Sequence, residues 1–373
     1  MHYLFAGGGT AGHINPAIAV AGYLKKADPD CRISFIGTKK GMESRLVPMA
    51  GYDFYTIDVA GFQRKLTVKN IFKNISAAFK AITSSGRSRK LLKKLQPDVV
   101  IGTGGYVCGP VVMEAAKLGI KTAVHESNAF PGVTIKMLAP RVDVVMLGMK
   151  AAEERLKCKN PPIVTGNPIR SQLTALSRNE ARKKLGIPED ADMVLSFGGS
   201  LGAKYINKAV VSLAKAAANS GSFYLFHGTG RSGYGEFMSD LESAGGNADD
   251  CHVNIYEYID NMDVLMAAAD IVVCRAGAMT INELEVCKKP SVLIPSPYVA
   301  ENHQFHNAMA LKNAGAAEII EEKDLIGERL LSTIRSLLGD KQKLCRMSEN
   351  AGREAIVDAD RRIADILMNL QTK

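Results

Sequence analysis

Three times in this chain a short apolar run breaks into a glycine-rich loop that opens a helix. Tyr3-Leu4-Phe5-Ala6 leads into Gly7-Gly8-Gly9-Thr10-Ala11-Gly12-His13, Val99-Val100-Ile101 into Gly102-Thr103-Gly104-Gly105-Tyr106, and the run from Met193 to Phe197 into Gly198-Gly199-Ser200-Leu201-Gly202-Ala203. A buried strand feeding a helix through such a turn is the unit of a parallel, doubly wound sheet, because a crossover is needed to start a parallel neighbour. Glycine lets the backbone bend sharply and approach a ligand, and the helix start adds unpaired N–H groups with a partial positive charge. Each loop is therefore a cradle for an anion, phosphate above all. Asn15 as N-cap and Pro16 as first helical residue place the first helix at 17–26, with the titratable His13 on the rim of the cradle.

Gly7, Gly9 and Gly12 also satisfy G-x-G-x-x-G, the dinucleotide fingerprint, which is weak by itself. Its partner is an acidic residue closing the second strand, but Arg32-Ile33-Ser34-Phe35-Ile36-Gly37 runs into Thr38-Lys39-Lys40, with no carboxylate for an adenosine ribose. That basic pair suits the 2′-phosphate of NADP, so an NADP oxidoreductase is one alternative. The blandest reading is a loop that only tightens helix–strand packing.

At 373 residues the chain is long enough for two domains of about 150–200 residues each. No apolar run of about 18 residues marks a membrane span, and Met1 leads almost at once into the first strand, so a cytoplasmic location is expected. The seven cysteines are scattered and contain no C-x-x-C, which argues against a disulfide framework or a zinc site. The net charge of +9 is concentrated: no acid stands between Asp58 and Asp98, where Arg64, Lys65, Lys69, Lys73, Lys80, Arg87, Arg89, Lys90, Lys93 and Lys94 supply ten cations. Phe72, Ile75, Phe79 and Ile82 share one helix face in that segment. Nucleic acid, an anionic membrane or plain water would each suit such a face, and the sparse aromatics argue against nucleic acid.

The second half imitates the first, and Gly166-Asn167-Pro168-Ile169-Arg170 punctuates the chain between them. The expected organisation is an N-terminal domain over 1–167, a C-terminal domain over 168–345, and a helical tail over 346–373 folding back on the first domain. Strand ends in the first half collect His13, Thr103, Tyr106, His125, Glu126 and Asn128 at one sheet edge. In the second half Thr280 and Glu283 form a T-x-x-E capping box, so Glu283 has a purely structural alternative. The triplets Asp190-Ala191-Asp192 and Asp358-Ala359-Asp360 fall away from strand C-terminal ends, and His303 with His306 lacks a third ligand, so no metal is expected.

Together, Gly8-Gly9-Thr10-Ala11-Gly12-His13, Gly102-Thr103-Gly104-Gly105-Tyr106, His125-Glu126-Ser127-Asn128, Gly166-Asn167-Pro168-Ile169-Arg170, Gly198-Gly199-Ser200-Leu201-Gly202-Ala203 and Arg275-Ala276-Gly277-Ala278-Met279-Thr280 with Glu283 resemble the MurG family, the bacterial N-acetylglucosaminyltransferases of peptidoglycan synthesis. The likeness runs through essentially the whole chain in the same order, with one departure at Ile135, where the family pattern has Asn. It implies an α/β fold of two Rossmann-like domains facing across a cleft, the B type of glycosyltransferase. The implied reaction moves GlcNAc from UDP-GlcNAc, with inversion, to the MurNAc 4-hydroxyl of undecaprenyl-diphospho-MurNAc-pentapeptide, serving cell wall biogenesis, cell shape and division. The implied donor site is Thr10, Ala11, Gly12, Asn128, Arg170, Ser200, Ile259, Ala278, Met279, Thr280, Ile281, Asn282, Glu283 and Gln304. Gly104, Gly105 and Tyr106 would take the acceptor diphosphate. His13 is the candidate base, with His125 and Glu126 as rivals, and no cofactor is obligatory. Lys69, Phe72, Lys73, Ile75, Phe79, Lys80 and Ile82 would dock on the anionic, cytoplasmic face of the cell membrane; nucleic acid is not an expected partner. A diacylglycerol sugar transferase is the alternative within the same class.

Overall fold

The computed structural model describes residues 1–59, 84–169, 171–199 and 201–370. Lys69, Phe72, Lys73, Ile75, Phe79, Lys80, Ile82, Arg170 and Ser200 lie outside the described residues. The chain divides into two compact units, Met1–Ile169 with Ile356–Lys373, and Arg170–Ala355.

In the first unit the elements run β1 (His2–Gly7), α1 (Ala11–Ala27), β2 (Arg32–Gly37), α2 (Glu43–Met49), β3 (Asp53–Thr56), α3 (84–95), β4 (Val99–Gly104), α4 (Cys108–Lys117), β5 (Lys121–Glu126), α5 (Val133–Leu138), β6 (Val144–Leu147) and β7 (Ile163–Val164). The strands form one parallel sheet in the order β3-β2-β1-β4-β5-β6-β7. Both faces are covered, so the central strands read as continuous apolar runs: all six residues of β4 are buried. One core packs Tyr3, Phe5, Leu24 and Phe35 beneath α1, and the other packs Leu4, Val100, Val112 and Leu138 beneath α4 and α5. Ile135 is 2% exposed in the second of these cores, so the apolar departure from the family pattern is absorbed by packing.

The second unit runs α6 (Arg178–Leu185), β8 (Met193–Phe197), α7 (Lys204–Ser220), β9 (Tyr224–Gly228), α8 (Tyr234–Ser243), β10 (Val253–Tyr256), α9 (Met262–Ala268), β11 (Ile271–Cys274), α10 (Ala278–Val286), β12 (Ser291–Leu293), α11 (His303–Asn313), β13 (Ala317–Ile319), α12 (Gly327–Gly339) and α13 (Lys341–Arg353). Its parallel sheet has the order β10-β9-β8-β11-β12-β13. The Ser177–Glu180 capping box that opens α6 has both of its bonds in place. Arg182, fully buried, donates to the carbonyls of Ala268, Pro188 and Glu189 and pairs with Asp270 at 2.6 Å, while Asp270 also accepts from Met193 N at 2.8 Å.

Three sequence expectations need correction. First, α1 begins at Ala11, not near Ala17, because Thr10 is already extended and Pro16 is accommodated inside the helix, where it only withholds the N–H that would have reached the Gly12 carbonyl. His13 therefore sits in the first turn of α1. Second, α10 begins at Ala278 with Gly277 as its N-cap, so Thr280 and Glu283 do not cap it. Third, the second unit extends to Ala355, beyond the expected 345, because Leu344 and Met347 of α13 join the core of Leu330 and Ile334. The chain then returns to the first unit as α14 (Ala359–Asn369), which packs on α1 through Ile363, Ala364 and Leu367.

Leu367 is fully buried in that seam. Leu367→Ala should cost about 2–5 kcal/mol of stability, read as a lower urea midpoint with an unchanged slope. A shift below about 0.5 kcal/mol would mean that α14 contributes nothing to the first unit's core.

Candidate active site

In an open parallel sheet, ligands bind at the carboxyl ends of the strands where the strand order reverses. In the first unit that point lies between β1 and β4, where the register shifts after Ala6 so that Gly7 pairs with Gly104. The two glycine loops meet there, backbone against backbone: with φ +81, Gly105 approaches Gly8 so closely that any Cβ would collide with the Gly8 carbonyl. Thr103 Oγ1 fills the space that a side chain at Gly7 would need.

His13 sits on this junction. Its Nδ1 lies 3.0 Å from the Gly8 carbonyl oxygen, which can only accept, so Nδ1 carries the hydrogen and, in the neutral ring, Nε2 carries the lone pair. Thr10 Oγ1 lies 3.4 Å from the same Nδ1. Gly104, at φ +106, lies against the other side of the ring, where a Cβ would be 2.9 Å from Nε2. Gly104 therefore packs on the face of the ring beside Nε2, and Tyr106, two residues further on, is 63% exposed. Thr10 and Gly12 flank the junction, Thr10 exposed, and Ala11 is the first residue of α1.

The next strand end holds His125 and Glu126, both buried. His125 Nε2 donates to the Gly166 carbonyl at 3.0 Å, and burial pushes its pKa down to about 4 against the opposing pull of that carbonyl. Glu126 uses both oxygens on its own loop: Oε1 accepts from Asn128 N at 2.9 Å and Asn128 Nδ2 at 3.0 Å, and Oε2 accepts from Gly132 N at 2.8 Å. In these positions His125 ties β5 to the turn at Gly166, and Glu126 shapes the 127–132 loop.

In the second unit the strand order reverses between β8 and β11, and a cavity of about 160 Å³ opens near that edge. Leu173, Phe197, Tyr258, Ile259 and Met262 give it apolar walls, Gly199, Gly228 and Gly230 give it bare backbone, and Glu257 and Glu283 give it carboxylates. Of the expected residues, Ile259 and Glu283 meet in this cavity. Ala278, Met279 and Thr280 form the half-exposed first turn of α10, which has no side-chain cap, so its N–H groups are available to an anion. Ile281 and Asn282 point inward; Asn282 donates to Glu285 at 2.6 Å, whose burial pushes that carboxyl up to about 8. Gln304 accepts from Ser296 N at 2.8 Å and pins the loop after β12, beside Glu301 and Asn302, which both hold positive φ. Arg275 is committed to an ion pair with Glu322 and to the Ile294 carbonyl.

Leu173, Phe197, Glu257, Tyr258 and Met262 were not singled out by sequence. Their one signal was position, since Phe197 and Glu257-Tyr258 end or follow strands at the same edge. Gly228-Thr229-Gly230 had no assigned role; Gly202 and Gly230 approach so closely that neither tolerates a Cβ, which joins this turn to the third glycine loop.

Two parallel sheets, each with a glycine loop at its switch point and one with a cavity of about 160 Å³ near that edge, define a two-unit, doubly wound α/β protein. Residues 3–147 match the glycosyltransferase family 28 N-terminal domain and residues 193–363 the family 28 C-terminal domain. The chain is 47% identical to the UDP-N-acetylglucosamine--N-acetylmuramyl-(pentapeptide) pyrophosphoryl-undecaprenol N-acetylglucosamine transferase of Acetivibrio thermocellus, covering 99% of this chain and 98% of that one. It is 43% identical to the protein of the same name from Caldanaerobacter subterraneus subsp. tengcongensis, covering 99% and 100%. The crystal structure of Acinetobacter baumannii MurG superposes with a TM-score of 0.80 at 28% identity, over 99% of both chains. A calicheamicin glycosyltransferase, at 14% identity and a TM-score of 0.71, shares the fold. The chain belongs to the MurG family within glycosyltransferase family 28.

The geometry of His125 fixes a pH dependence. Unfolded, its imidazole takes a proton near 6.5; folded, not until about 4, so the unfolded state binds more protons in between. Stability is therefore full above 6.5 and falls as pH drops toward 4. His125→Gln should remove about 2 kcal/mol of the wild-type loss between pH 7 and pH 5 in urea unfolding. Equal losses in the two proteins would contradict a neutral, buried His125.

Proposed function

We propose that this protein transfers GlcNAc from UDP-GlcNAc to the 4-hydroxyl of MurNAc in undecaprenyl-diphospho-MurNAc-pentapeptide, with inversion at the sugar. The observation that carries the reading is the division of chemistry between two switch points. The second unit offers a cavity lined by apolar side chains, bare backbone and two carboxylates, with an uncapped helix start; the first offers a glycine-loop cradle with an oriented imidazole.

In this reading uracil lies against the backbone of Ile259, and the two oxygens of Glu283 accept the vicinal ribose hydroxyls. The diphosphate meets the first turn of α10, whose N–H groups hold the charge that grows as UDP leaves. Arg170 and Ser200 join that donor set, as do Thr10, Ala11, Gly12, Asn128 and Gln304. On the acceptor side the lipid diphosphate rests on Gly104, Gly105 and Tyr106. The 4-hydroxyl attacks the sugar C1 from the face opposite UDP, its proton passes to Nε2 of His13, and the C1–O bond to UDP breaks. The charge of the leaving group is met by the protein's own dipoles, so transfer should persist in EDTA.

A peripheral membrane site accompanies this reading. Exposed Tyr106, Val133 and Met137 stand with Lys136 and Arg141 on the first unit, and α3 buries Leu92 and Leu95 while exposing Arg89, Lys90, Lys93 and Lys94. No helix among the described residues is long and apolar enough to cross a membrane. Cations near an anionic surface contribute about 1 kcal/mol each. Co-sedimentation should require anionic vesicles and fall as salt rises, and Lys69→Glu with Lys73→Glu and Lys80→Glu should weaken it; equal binding to neutral vesicles would overturn the docking.

The direct test is label transfer from radiolabelled UDP-GlcNAc to a lipid-linked MurNAc acceptor; no transfer, with UDP binding intact, would overturn the assignment. Glu283→Ala should remain folded while weakening UDP binding by about tenfold or more in calorimetry. Unchanged UDP affinity would remove Glu283 from the donor site.

A further inference from the structure

Glu43 is 1% exposed and lies beneath the first glycine loop. Its Oε2 accepts from Gly9 N at 3.0 Å, and its Oε1 accepts from Thr38 N at 2.8 Å and Thr38 Oγ1 at 2.7 Å. Three donors converge on two oxygens, and among side chains only a carboxylate accepts at both ends. Burial alone would raise its pKa; the bonds from Thr38 and Gly9 outweigh that and hold it below the usual range, so the group is charged. Gly8, Gly37 and Gly41 make room for it, since a Cβ on any of the three would collide with the Glu43 side chain. The loop, the end of β2 and the start of α2 are thus built around one carboxylate.

What that carboxylate holds is the peptide next to the His13 anchor. Gly9 N–H belongs to the same peptide unit as the Gly8 carbonyl, and that carbonyl takes the His13 Nδ1 hydrogen at 3.0 Å. Fixing the N–H end of a planar peptide fixes the direction of its C=O end. Glu43 and His13 also line one void with Gly7 and Thr103 that is too tight to admit water. We infer that Glu43 is a positioning residue for transfer: by clamping the Gly8–Gly9 peptide it sets the orientation of the His13 ring and the direction of the Nε2 lone pair. The inference rests on the proposed role of His13 as base. It adds a residue that never touches either substrate.

Glu43→Gln keeps the shape and leaves one accepting oxygen, so either Gly9 or Thr38 must face an NH2 group. A ring displaced by about 1 Å costs on the order of 10²-fold in rate. Turnover in Glu43→Gln should fall about 10- to 100-fold, with KM for UDP-GlcNAc and UDP affinity unchanged. Amide exchange in the peptide covering the first glycine loop should speed up at least tenfold in a protein that remains folded. Thr38→Val, which removes one donor and keeps the carboxylate, should show the same pattern more weakly and serves if Glu43→Gln fails to fold. Faster loop exchange with unchanged turnover would overturn the positioning role, as would unchanged exchange. A wild-type protein that transfers no GlcNAc would instead overturn the proposed function, and the exchange measurement would still report the clamp.

Discussion

The first unit depends on a contact between two stretches of bare backbone. At the β1/β4 switch point Gly105 rests on the Gly8 peptide and Gly104 on the His13 ring, at distances that no side chain would allow. The consequence is chemical as well as steric. Once the loops interlock, the Gly8 carbonyl has one direction in which to point, the imidazole has one nitrogen with which to meet it, and Gly104 packs on the ring face beside the other. Glu43 beneath and Thr103 beside the junction complete the support. The second unit repeats the device with Gly202 and Gly230, there to shape a cavity wall and not to orient a ring.

A second theme is how the protein buries charged and polar groups. Glu43 and Glu126 lie under loops and spend their oxygens on backbone N–H groups, and Arg182 spends its donors on carbonyls and Asp270. An isolated buried charge would cost several kcal/mol, and it is tolerated here because each one meets several partners. These groups convert irregular backbone, which cannot satisfy itself in a sheet or helix, into fixed geometry. His125 follows the same rule as a neutral ring, bonded to the Gly166 carbonyl.

Much of this was legible in the sequence. Apolar runs ending in glycine loops announced two parallel sheets, and the same loops marked the switch points. Glu283 could be read either as a diol acceptor or as a cap from its T-x-x-E spacing, and the structure replaces the cap with Gly277, because an extended glycine two residues before Met279 starts the helix earlier. The helix start at Ala11 was hidden by Pro16, which reads as a first-turn residue and here sits deeper in the helix. Glu43 was invisible for another reason: it stands in a plain helical stretch, and its importance comes from donors at Gly9 and Thr38, the first of which is remote in sequence. The end of the second unit was misplaced because the amphipathic face of α13 does not say which core it will join.

The central claim is that the interlocked loops present His13 Nε2 to the acceptor hydroxyl. The most direct measurement is turnover of His13→Ala at saturating UDP-GlcNAc, with UDP affinity measured in parallel. The account predicts a fall of roughly 10²- to 10⁴-fold in turnover with UDP affinity unchanged. Near-normal turnover in a folded His13→Ala protein would contradict it.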